Sequence, residues 1–270
     1  MNPRESPYHW ADAAAAYDRL AVPMQFAEPA KELVRLVGVV PGMRVLDVGA
    51  GTGAATIPAA EAAGPDGLTV SADASAVMLQ LLRQKGPHHT VAALAPGLPF
   101  RDSVFDSVLA SFVITHFEDY RVALADMARV IRPGGQIGAS VWGTAVNPAI
   151  QAWTSVASGF ANVEELKDRF RAQIRWGDWF ADPTNLQTAL LEASFTNIAV
   201  ARREYPFQMA VRDFLELRSA TVESALLRER LGAQWNKFSR QVAETLASAF
   251  PAGIQYIRDV YIAVATKPAH

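Results

Sequence analysis

The sequence predicts an α/β fold: a seven-stranded, mostly parallel sheet with helices on both faces, an antiparallel last strand and a helical lid. Three observations support this. Five short apolar runs alternate with helical patterns, which is typical of a parallel sheet. A glycine-rich stretch directly follows the first run. Two further strand candidates, separated by a long helical stretch, close the chain and suit a last strand inserted antiparallel.

The first half of the chain carries the alternation. Pro29 suits the first turn of a helix over 29–38, and Gly38 suits its end. The alanines at 13–16 predict another helix. Helical patterns such as 76–85 and 120–131 separate the apolar runs. The predicted strands in this half are 44–48, 68–72, 90–93, 105–112 and 136–142.

The pattern changes after residue 142. Asn147-Pro148 and Asp182-Pro183 each read as a helix cap followed by a first turn. Strands are predicted over 196–207 and 254–266, with amphipathic helices between them. We therefore expect an N-terminal helical cap at 1–28, a cofactor-binding core at 29–142, a lid insertion at 143–181, and the end of the core sheet at 182–270 with a helical insertion at 208–253.

Composition excludes several classes of function. The 270 residues are 50% apolar and 19% charged, so a sizeable core is expected. The net charge of −2 indicates no nucleic-acid partner. The chain has no cysteine, which excludes disulfides and thiolate metal sites, and no His, Asp and Glu group has metal spacing, so no metal is expected.

Localisation and assembly are predicted more coarsely. The first ten residues lack the apolar region of a signal peptide, and no run approaches about 18 apolar residues. We expect a cytoplasmic protein without a membrane span that acts on a small molecule. A monomer and a homodimer are both consistent, because the amphipathic helices over 208–253 suit either a lid or a dimer face.

The stretch VLDVGAGTGAA at 45–55 is the most informative motif. Gly49, Gly51 and Gly53 follow a strand and open a helix, so a ligand can approach backbone N–H groups there. Gly49, Gly51 and Ala54 also fit the dinucleotide fingerprint of nicotinamide and flavin enzymes. Asp47 separates the two interpretations, since a carboxylate repels a pyrophosphate and suits a ligand with an ammonium group. A plain strand-to-helix turn is the third interpretation.

Several motifs in order resemble the class I S-adenosylmethionine-dependent methyltransferases. They are VLDVGAGTG at 45–53, VSADAS at 70–75 and LPFRDSVFDSVLASFVITHFEDYRVALADMARVIRPGGQIGASVW at 98–142. The likeness is to the ubiquinone/menaquinone-type and natural-product small-molecule branch. It covers roughly 30–142 and is weaker over 180–200 and the final strand. It implies a Rossmann-like fold with S-adenosylmethionine as cofactor.

The resemblance implies a role for each matching residue. Asp47 and the glycine loop would hold the methionine end of the cofactor, and Asp73 both ribose hydroxyls. Ala74 and Met78 would line the adenine pocket. The implied cofactor-binding residues are Asp47, Gly49, Ala50, Gly51, Gly53, Asp73, Ala74, Met78, Ala93, Leu94, Ser111 and Phe112.

One position departs from the family pattern. Where the family usually has Gly-Asp-Ala after the third strand, this chain has Ala93-Leu94-Ala95. Leucine cannot accept a hydrogen bond from the adenine amino group. The loss of one such bond costs on the order of 1 kcal/mol, so weaker cofactor binding is expected.

The predicted function is methyl transfer to an O, C or N acceptor on a mainly apolar or aromatic metabolite by in-line displacement. Ser111 and Phe112 would face the sulfonium. His116, in VITHFED, is the candidate base. Two alternatives stay open: a non-methylating or binding protein on the same fold, and a nicotinamide-dependent oxidoreductase. The candidate substrate residues are Trp10, Tyr17, Phe26, Trp142, Trp153, Trp176 and Trp179.

Overall fold

The computed structural model describes residues 11–162, 164–165, 168 and 174–269. Within these ranges the chain forms one seven-stranded sheet in the order β3-β2-β1-β4-β5-β7-β6. β1 to β5 run parallel, and β7 is antiparallel to both of its neighbours, β5 and β6. The predicted fold class is confirmed. The strands are β1 Arg44–Val48, β2 Leu68–Asp73, β3 His89–Ala92, β4 Phe105–Ser111, β5 Ile131–Trp142, β6 Thr196–Met209 and β7 Ile254–Thr266.

The helices begin where their capping residues predict. Asn147 accepts hydrogen bonds from the N–H groups of Ala149 and Ile150, and Asp182 accepts one from Thr184. A π-helical segment, Tyr17–Phe26, joins α1 to α2, and Ile114–His116 is a short 3₁₀ helix. The α-helices are α1 Ala11–Ala16, α2 Ala27–Val37, α3 Thr56–Ala63, α4 Ala76–Gln84, α5 Tyr120–Val130, α6 Pro148–Ser158, α7 Gly177–Phe180, α8 Pro183–Glu192, α9 Val211–Ser219, α10 Val222–Leu231 and α11 Trp235–Ala249.

β5 is longer than the sequence predicts. It begins at Ile131, which pairs with Phe105 of β4, and a register shift follows before the regular pairing resumes. The Pro133-Gly134-Gly135 stretch therefore lies inside the strand, which was predicted to begin at residue 136. The Gly134 N–H donates to the Lys267 carbonyl at 3.0 Å, which extends the pairing toward β7.

Two apolar layers cover the sheet. On one face α2 and α3 pack through Leu33 and Ala59, and on the other α5 and α8 pack through Leu124 and Leu186. Strand residues alternate between the two layers, since successive side chains point to opposite faces. Leu46 accordingly belongs to the α5 layer, while its neighbour in β1 joins the α2 layer.

The antiparallel pair of strands β6 and β7 extends past the rest of the sheet. β5 ends at Trp142, which pairs with Val260, but β6 and β7 continue to pair as far as Met209 and Ile254. This extension carries a separate cluster, the helical cluster, which includes Trp153 of α6. Its buried residues also come from α9, α10 and α11. The helical cluster therefore lies toward the carboxyl ends of β1, β4 and β5, where ligands of open α/β sheets bind.

Two negative findings hold across the described ranges. No helix combines the length and the apolar character that crossing a membrane requires. No group of three or more His, Cys, Asp or Glu side chains is arranged to hold a metal ion.

Candidate active site

The loop after β1 has a fixed, left-handed backbone. Gly49, Gly51 and Gly53 have φ values of +71°, +55° and +98°, a region that other residues rarely adopt. The N–H groups of Gly49 and Ala50 donate to the carbonyl of Ala72 in β2, at 2.8 and 3.1 Å. The loop is thereby held against the ends of β1 and β2.

The three glycines differ in what surrounds them. A Cβ atom at Gly49 would overlap the side chain of Val113, and one at Gly53 would overlap that of Leu82, so packing requires glycine at both positions. A Cβ atom at Gly51 would meet nothing closer than the Tyr17 ring, at 3.9 Å. No protein atom would overlap a Cβ at Gly51, and only the Tyr17 ring would be in contact with it. Packing therefore does not require a glycine at this position, whereas a ligand that approaches the main chain closely would.

Asp47 is a buried carboxyl group at the end of β1. Its side chain is 1% exposed, and Oδ2 accepts a hydrogen bond from the Thr56 hydroxyl at 2.7 Å. Among the described residues, Oδ1 has no hydrogen-bond partner. Burial, opposed by the Thr56 hydrogen bond and aided by the negative charge of Asp73, raises the pKa of Asp47 to about 7. An ammonium group nearby would satisfy Oδ1 and favour the ionised form.

Asp73 connects β2 to the glycine loop. Its Oδ2 accepts the N–H of Gly51 at 2.8 Å, and its Oδ1 accepts the N–H of Ser75 at 2.7 Å. A carboxylate has about four lone-pair positions, and ribose hydroxyls are donors of the kind that it accepts. The two backbone bonds hold the carboxylate beside Gly51.

The predicted adenine residues surround the end of β2. The N–H of Ala93 donates to the Asp73 carbonyl at 3.1 Å, which brings the loop after β3 next to the ribose position. Met78 is buried in α4, whereas Ala74 is exposed. Leu94 is 51% exposed. An exposed leucine therefore stands where the family pattern has an acid.

An aromatic wall lies beside the glycine loop, and we use this name for Tyr17, Phe26, Phe112 and Trp142. Phe112 follows β4 with a φ of +56°, and its ring stacks on Trp142 with centroids 4.0 Å apart. Phe26 meets Phe112 edge-on at 5.2 Å. Tyr17 lies 5.2 Å from Phe26 and also borders Gly51. The wall thus joins the end of the loop to the ends of β4 and β5.

Ser111 supports the wall from β4. Its hydroxyl is 3.3 Å from that of Ser140 in β5. The Ser140 hydroxyl and carbonyl also accept the N–H of Phe112, at 3.2 and 2.9 Å. The left-handed backbone of Phe112 is held by these bonds, and such strain gathers at functional sites.

The other predicted substrate aromatics lie apart from the wall. Trp153 belongs to the helical cluster, where it meets Phe238 edge-on. Trp176 and Trp179 pack around the buried Tyr120 of α5. Trp10 lies outside the described residues. Of the seven candidates, the structure therefore brings together Tyr17, Phe26 and Trp142.

His116, the predicted base, ends the short 3₁₀ helix after β4. Its side chain is exposed, and its backbone N–H donates to the carbonyl of Val113 at 2.9 Å. Val113 is the residue that a Cβ at Gly49 would overlap, so the two loops are in contact. The assignment of His116 as a base stays a prediction.

Lys85, at the end of α4, is a contact that the sequence did not reveal. Its ammonium group donates to the Thr52 carbonyl of the glycine loop at 2.8 Å and pairs with Asp18 of the π-helical segment. The segment that carries Tyr17 and Phe26 is thereby tied to the loop. Arg19 of the same segment pairs with Glu216 of α9.

Arg258, in β7, is the second contact that sequence reasoning missed. Its guanidinium lies over the Trp142 ring, 3.4 Å from the centroid. It shares a strand face with Ile254 and Val260, both buried apolar residues. An arginine among apolar positions at a spacing of two is the signal that could have identified it.

Known methyltransferases are similar to part of this chain. Residues 46–138 match the family described as the methyltransferase domain. Over 107 residues the chain is 44% identical to the demethylmenaquinone methyltransferase of Renibacterium salmoninarum, which covers 39% of this chain and 44% of the relative. The chain spans about half the length of the curated relatives it matches.

Solved structures share the fold at low identity. A putative methyltransferase from Bacillus halodurans aligns with a TM-score of 0.57 at 16% identity, over 89% of this chain and 99% of that one. A phosphoethanolamine N-methyltransferase of Haemonchus contortus, bound to phosphomonomethylethanolamine and S-adenosylhomocysteine, aligns with a TM-score of 0.55 at 19% identity. It covers 89% of this chain and 52% of that one. The resemblance inferred from the sequence motifs is confirmed.

Proposed function

We propose that this chain, whose core is that of a class I S-adenosylmethionine-dependent methyltransferase, moves a methyl group from S-adenosylmethionine to an O, C or N atom of a mainly apolar or aromatic small molecule. The relatives supply the reaction class. The acceptor and the mechanism are inferred from the site.

The main chain at Gly51, where packing does not require a glycine, is the observation that carries the proposal. Its N–H donates to Asp73, and Tyr17 of the aromatic wall borders it. Asp47 would favour the cofactor's ammonium group, and Asp73 would accept hydrogen bonds from its ribose. A dinucleotide pyrophosphate in the same place would be repelled by the ionised Asp47, so the nicotinamide alternative is disfavoured.

The residues of the site would bind, orient and exclude water. When bound, S-adenosylmethionine supplies a methyl group on a positively charged sulfur, which departs as a neutral thioether when an acceptor atom attacks in line. The aromatic wall would keep water from the acceptor and fix its approach. If the acceptor is a hydroxyl, His116 would take its proton.

Thermal melting with three ligands tests the cofactor. S-adenosylmethionine and S-adenosylhomocysteine are expected to raise the melting temperature, because ligands that bind the native state stabilise it. NADH is expected to leave it unchanged. Stabilisation by NADH alone would contradict the proposal.

A non-methylating or binding role is the second candidate, and the exposed Leu94 is the observation that favours it. Labelled methyl transfer from S-adenosylmethionine to any product in a metabolite extract would exclude that role.

The variant Leu94→Asp tests the adenine placement. Its new carboxylate should strengthen cofactor binding by roughly five- to tenfold, as measured by calorimetry. A loss of affinity would mean that Leu94 does not lie beside the adenine.

A further inference from the structure

The first half of β7 extends beyond the carboxyl end of β5. Trp142, the last residue of β5, pairs with Val260. Arg258 precedes Val260 by two residues in β7 and lies on the same face of the strand. Val260 packs in the same apolar cluster as Phe112 and Phe26. Arg258 thus sits at the edge of the aromatic wall, beyond the end of the parallel strands.

Neutral groups surround the Arg258 guanidinium. Its Nη1 atom donates to the Gln25 side-chain carbonyl at 2.6 Å and to the Tyr256 hydroxyl at 3.3 Å. The Trp142 ring lies beneath the group. Burial lowers the pKa of Arg258, but arginine keeps its charge in proteins.

Asp259, whose negative charge acts on Arg258, forms its hydrogen bonds with other groups. Asp259 is buried and accepts hydrogen bonds from Arg202 and from the N–H of Ala145. Glu32 accepts hydrogen bonds from Arg203 and from Tyr205. Among the described residues no ion pair to Arg258 is formed, whereas on neighbouring β6 Arg202 has two and Arg203 has one.

One edge of the guanidinium is left for a ligand. Among the described residues, its hydrogen bonds all come from Nη1, and Nε and Nη2 have no partner. Neither atom belongs to the fully buried polar atoms that lack partners, so each keeps some exposure in this half-buried residue. The Nε–Nη2 edge is the fork with which arginine binds a carboxylate through two parallel hydrogen bonds.

The position of Arg258 favours the acceptor over the cofactor as the bound anion. The glycine loop that would hold the cofactor's methionine end follows β1, while Arg258 lies on β7, three strands away in the sheet order. Adjacent strands are about 4.8 Å apart, so the separation is on the order of 14 Å. Tyr17 and Gly51 lie at the cofactor end. In the sheet order, Trp142 of β5 lies between Phe112, which follows β4, and Arg258 of β7.

We propose that the acceptor carries a carboxylate, which pairs with the free Nε–Nη2 edge of Arg258 while the apolar part of the molecule lies against the aromatic wall. This rests on the proposed function, because it names the substrate class of the same site. Arg258 is on this account a specificity residue that fixes the acceptor's orientation.

Two probes of equal size test the charge preference. Calorimetry would measure binding of 2-naphthoate and of the neutral 2-naphthamide, with and without saturating S-adenosylhomocysteine. The wild type is expected to prefer the acid by at least about tenfold, which is about 1.4 kcal/mol. Equal affinities, or no binding of either probe at millimolar concentration, would overturn the proposal.

Variants of Arg258 identify the group responsible. Arg258→Gln is expected to bring the two probes to equal affinity while the affinity for S-adenosylhomocysteine stays within about twofold. Arg258→Lys, which keeps the charge and loses the fork, should retain part of the preference and covers the case in which Arg258→Gln fails to fold. Arg203→Gln on β6 is the matched control and should keep the full preference.

The failure of each proposal gives a different result. A preference for the acid that survives in Arg258→Gln, or a loss confined to S-adenosylhomocysteine binding, contradicts the role of Arg258. Absent binding of S-adenosylhomocysteine to the wild type contradicts the proposed function. In that case the comparison of the two probes still decides whether Arg258 holds an anion.

Discussion

At the residue scale, the loop after β1 contains glycines that are needed for different reasons. Gly49 and Gly53 leave room for the side chains of Val113 and Leu82, while a Cβ at Gly51 would overlap no protein atom. From sequence these positions are equivalent, because spacing reports a glycine loop and not what approaches each residue.

Gly51→Ala should separate cofactor binding from folding. The alanine must adopt a φ of +55°, which costs roughly 1 to 2 kcal/mol of stability, and its methyl group occupies the space that the cofactor needs. We expect at least a tenfold loss in affinity for S-adenosylhomocysteine by calorimetry. Gly38→Ala is the matched control, with a φ of +71° and open surroundings at the end of α2. Equal affinities of the two variants would show that Gly51 does not border the cofactor.

Asp47 predicts a pH dependence of cofactor binding. Its pKa is raised to about 7, so the folded site holds a proton below that pH and carries a charge above it. Between its ordinary pKa and about 7 the native state binds the extra proton, and this group's contribution to stability falls as the pH rises. An ammonium ligand prefers the ionised form.

Affinity for S-adenosylhomocysteine should therefore rise roughly five- to tenfold between about pH 6 and pH 7.5. Calorimetry at several pH values measures this. The isosteric variant Asp47→Asn cannot ionise and should bind weakly with a flat profile. A wild-type profile as flat as that of the variant would contradict the assignment of Asp47 to the ammonium group.

At the element scale, the π-helical segment Tyr17–Phe26 joins the cofactor end of the site to the aromatic wall. It carries Tyr17 and Phe26 and is held by the contacts of Lys85. The alanine content predicted the preceding helix α1. The sequence did not predict the π-helical conformation around Pro23 or the ion pair with Lys85 at the end of α4. Long-range ion pairs leave no periodic signal in a single sequence.

Lys85→Met tests this tie. The change keeps the apolar stem and removes the ion pair with Asp18 and the hydrogen bond to the Thr52 carbonyl. A stability loss of about 1 kcal/mol is expected, since the pair is partly buried. S-adenosylhomocysteine should dissociate roughly two- to fivefold faster in stopped-flow measurements. Lys31→Met, which breaks an exposed pair with Glu28 in α2, should change neither quantity. A Lys85→Met variant that behaves like this control would count against the tie.

At the scale of the whole molecule, the long antiparallel pair of strands β6 and β7 determines where the second half of the chain lies. It extends beyond β5 and carries both Arg258 and the helical cluster toward the site. The alternation of strands and helices predicted the sheet and its direction. The same pattern could not decide which of the seven candidate aromatic residues line the substrate site and which pack in the core. That depends on how the helices pack on the sheet, which spacing along the chain does not report.

Trp153→Ala distinguishes packing from substrate contact. Trp153 is 4% exposed, meets Phe238 edge-on and lies beneath the Arg218 guanidinium. Chemical denaturation should show a loss of about 3 to 5 kcal/mol, with the affinity for S-adenosylhomocysteine unchanged in the folded fraction. Trp153→Phe, a smaller truncation, serves if the alanine variant does not fold. Unchanged stability together with lost activity would indicate that Trp153 contacts the substrate.

The central claim is that the main chain at Gly51, between Asp47 and Asp73, holds the methyl donor. A crystal structure with S-adenosylhomocysteine tests it most directly. The account predicts the homocysteine part beside Gly49 and Gly51, the ribose hydroxyls on Asp73, and the sulfur facing Ser111 and Phe112. A ligand bound elsewhere, or a space at Gly51 filled by protein side chains, would contradict it.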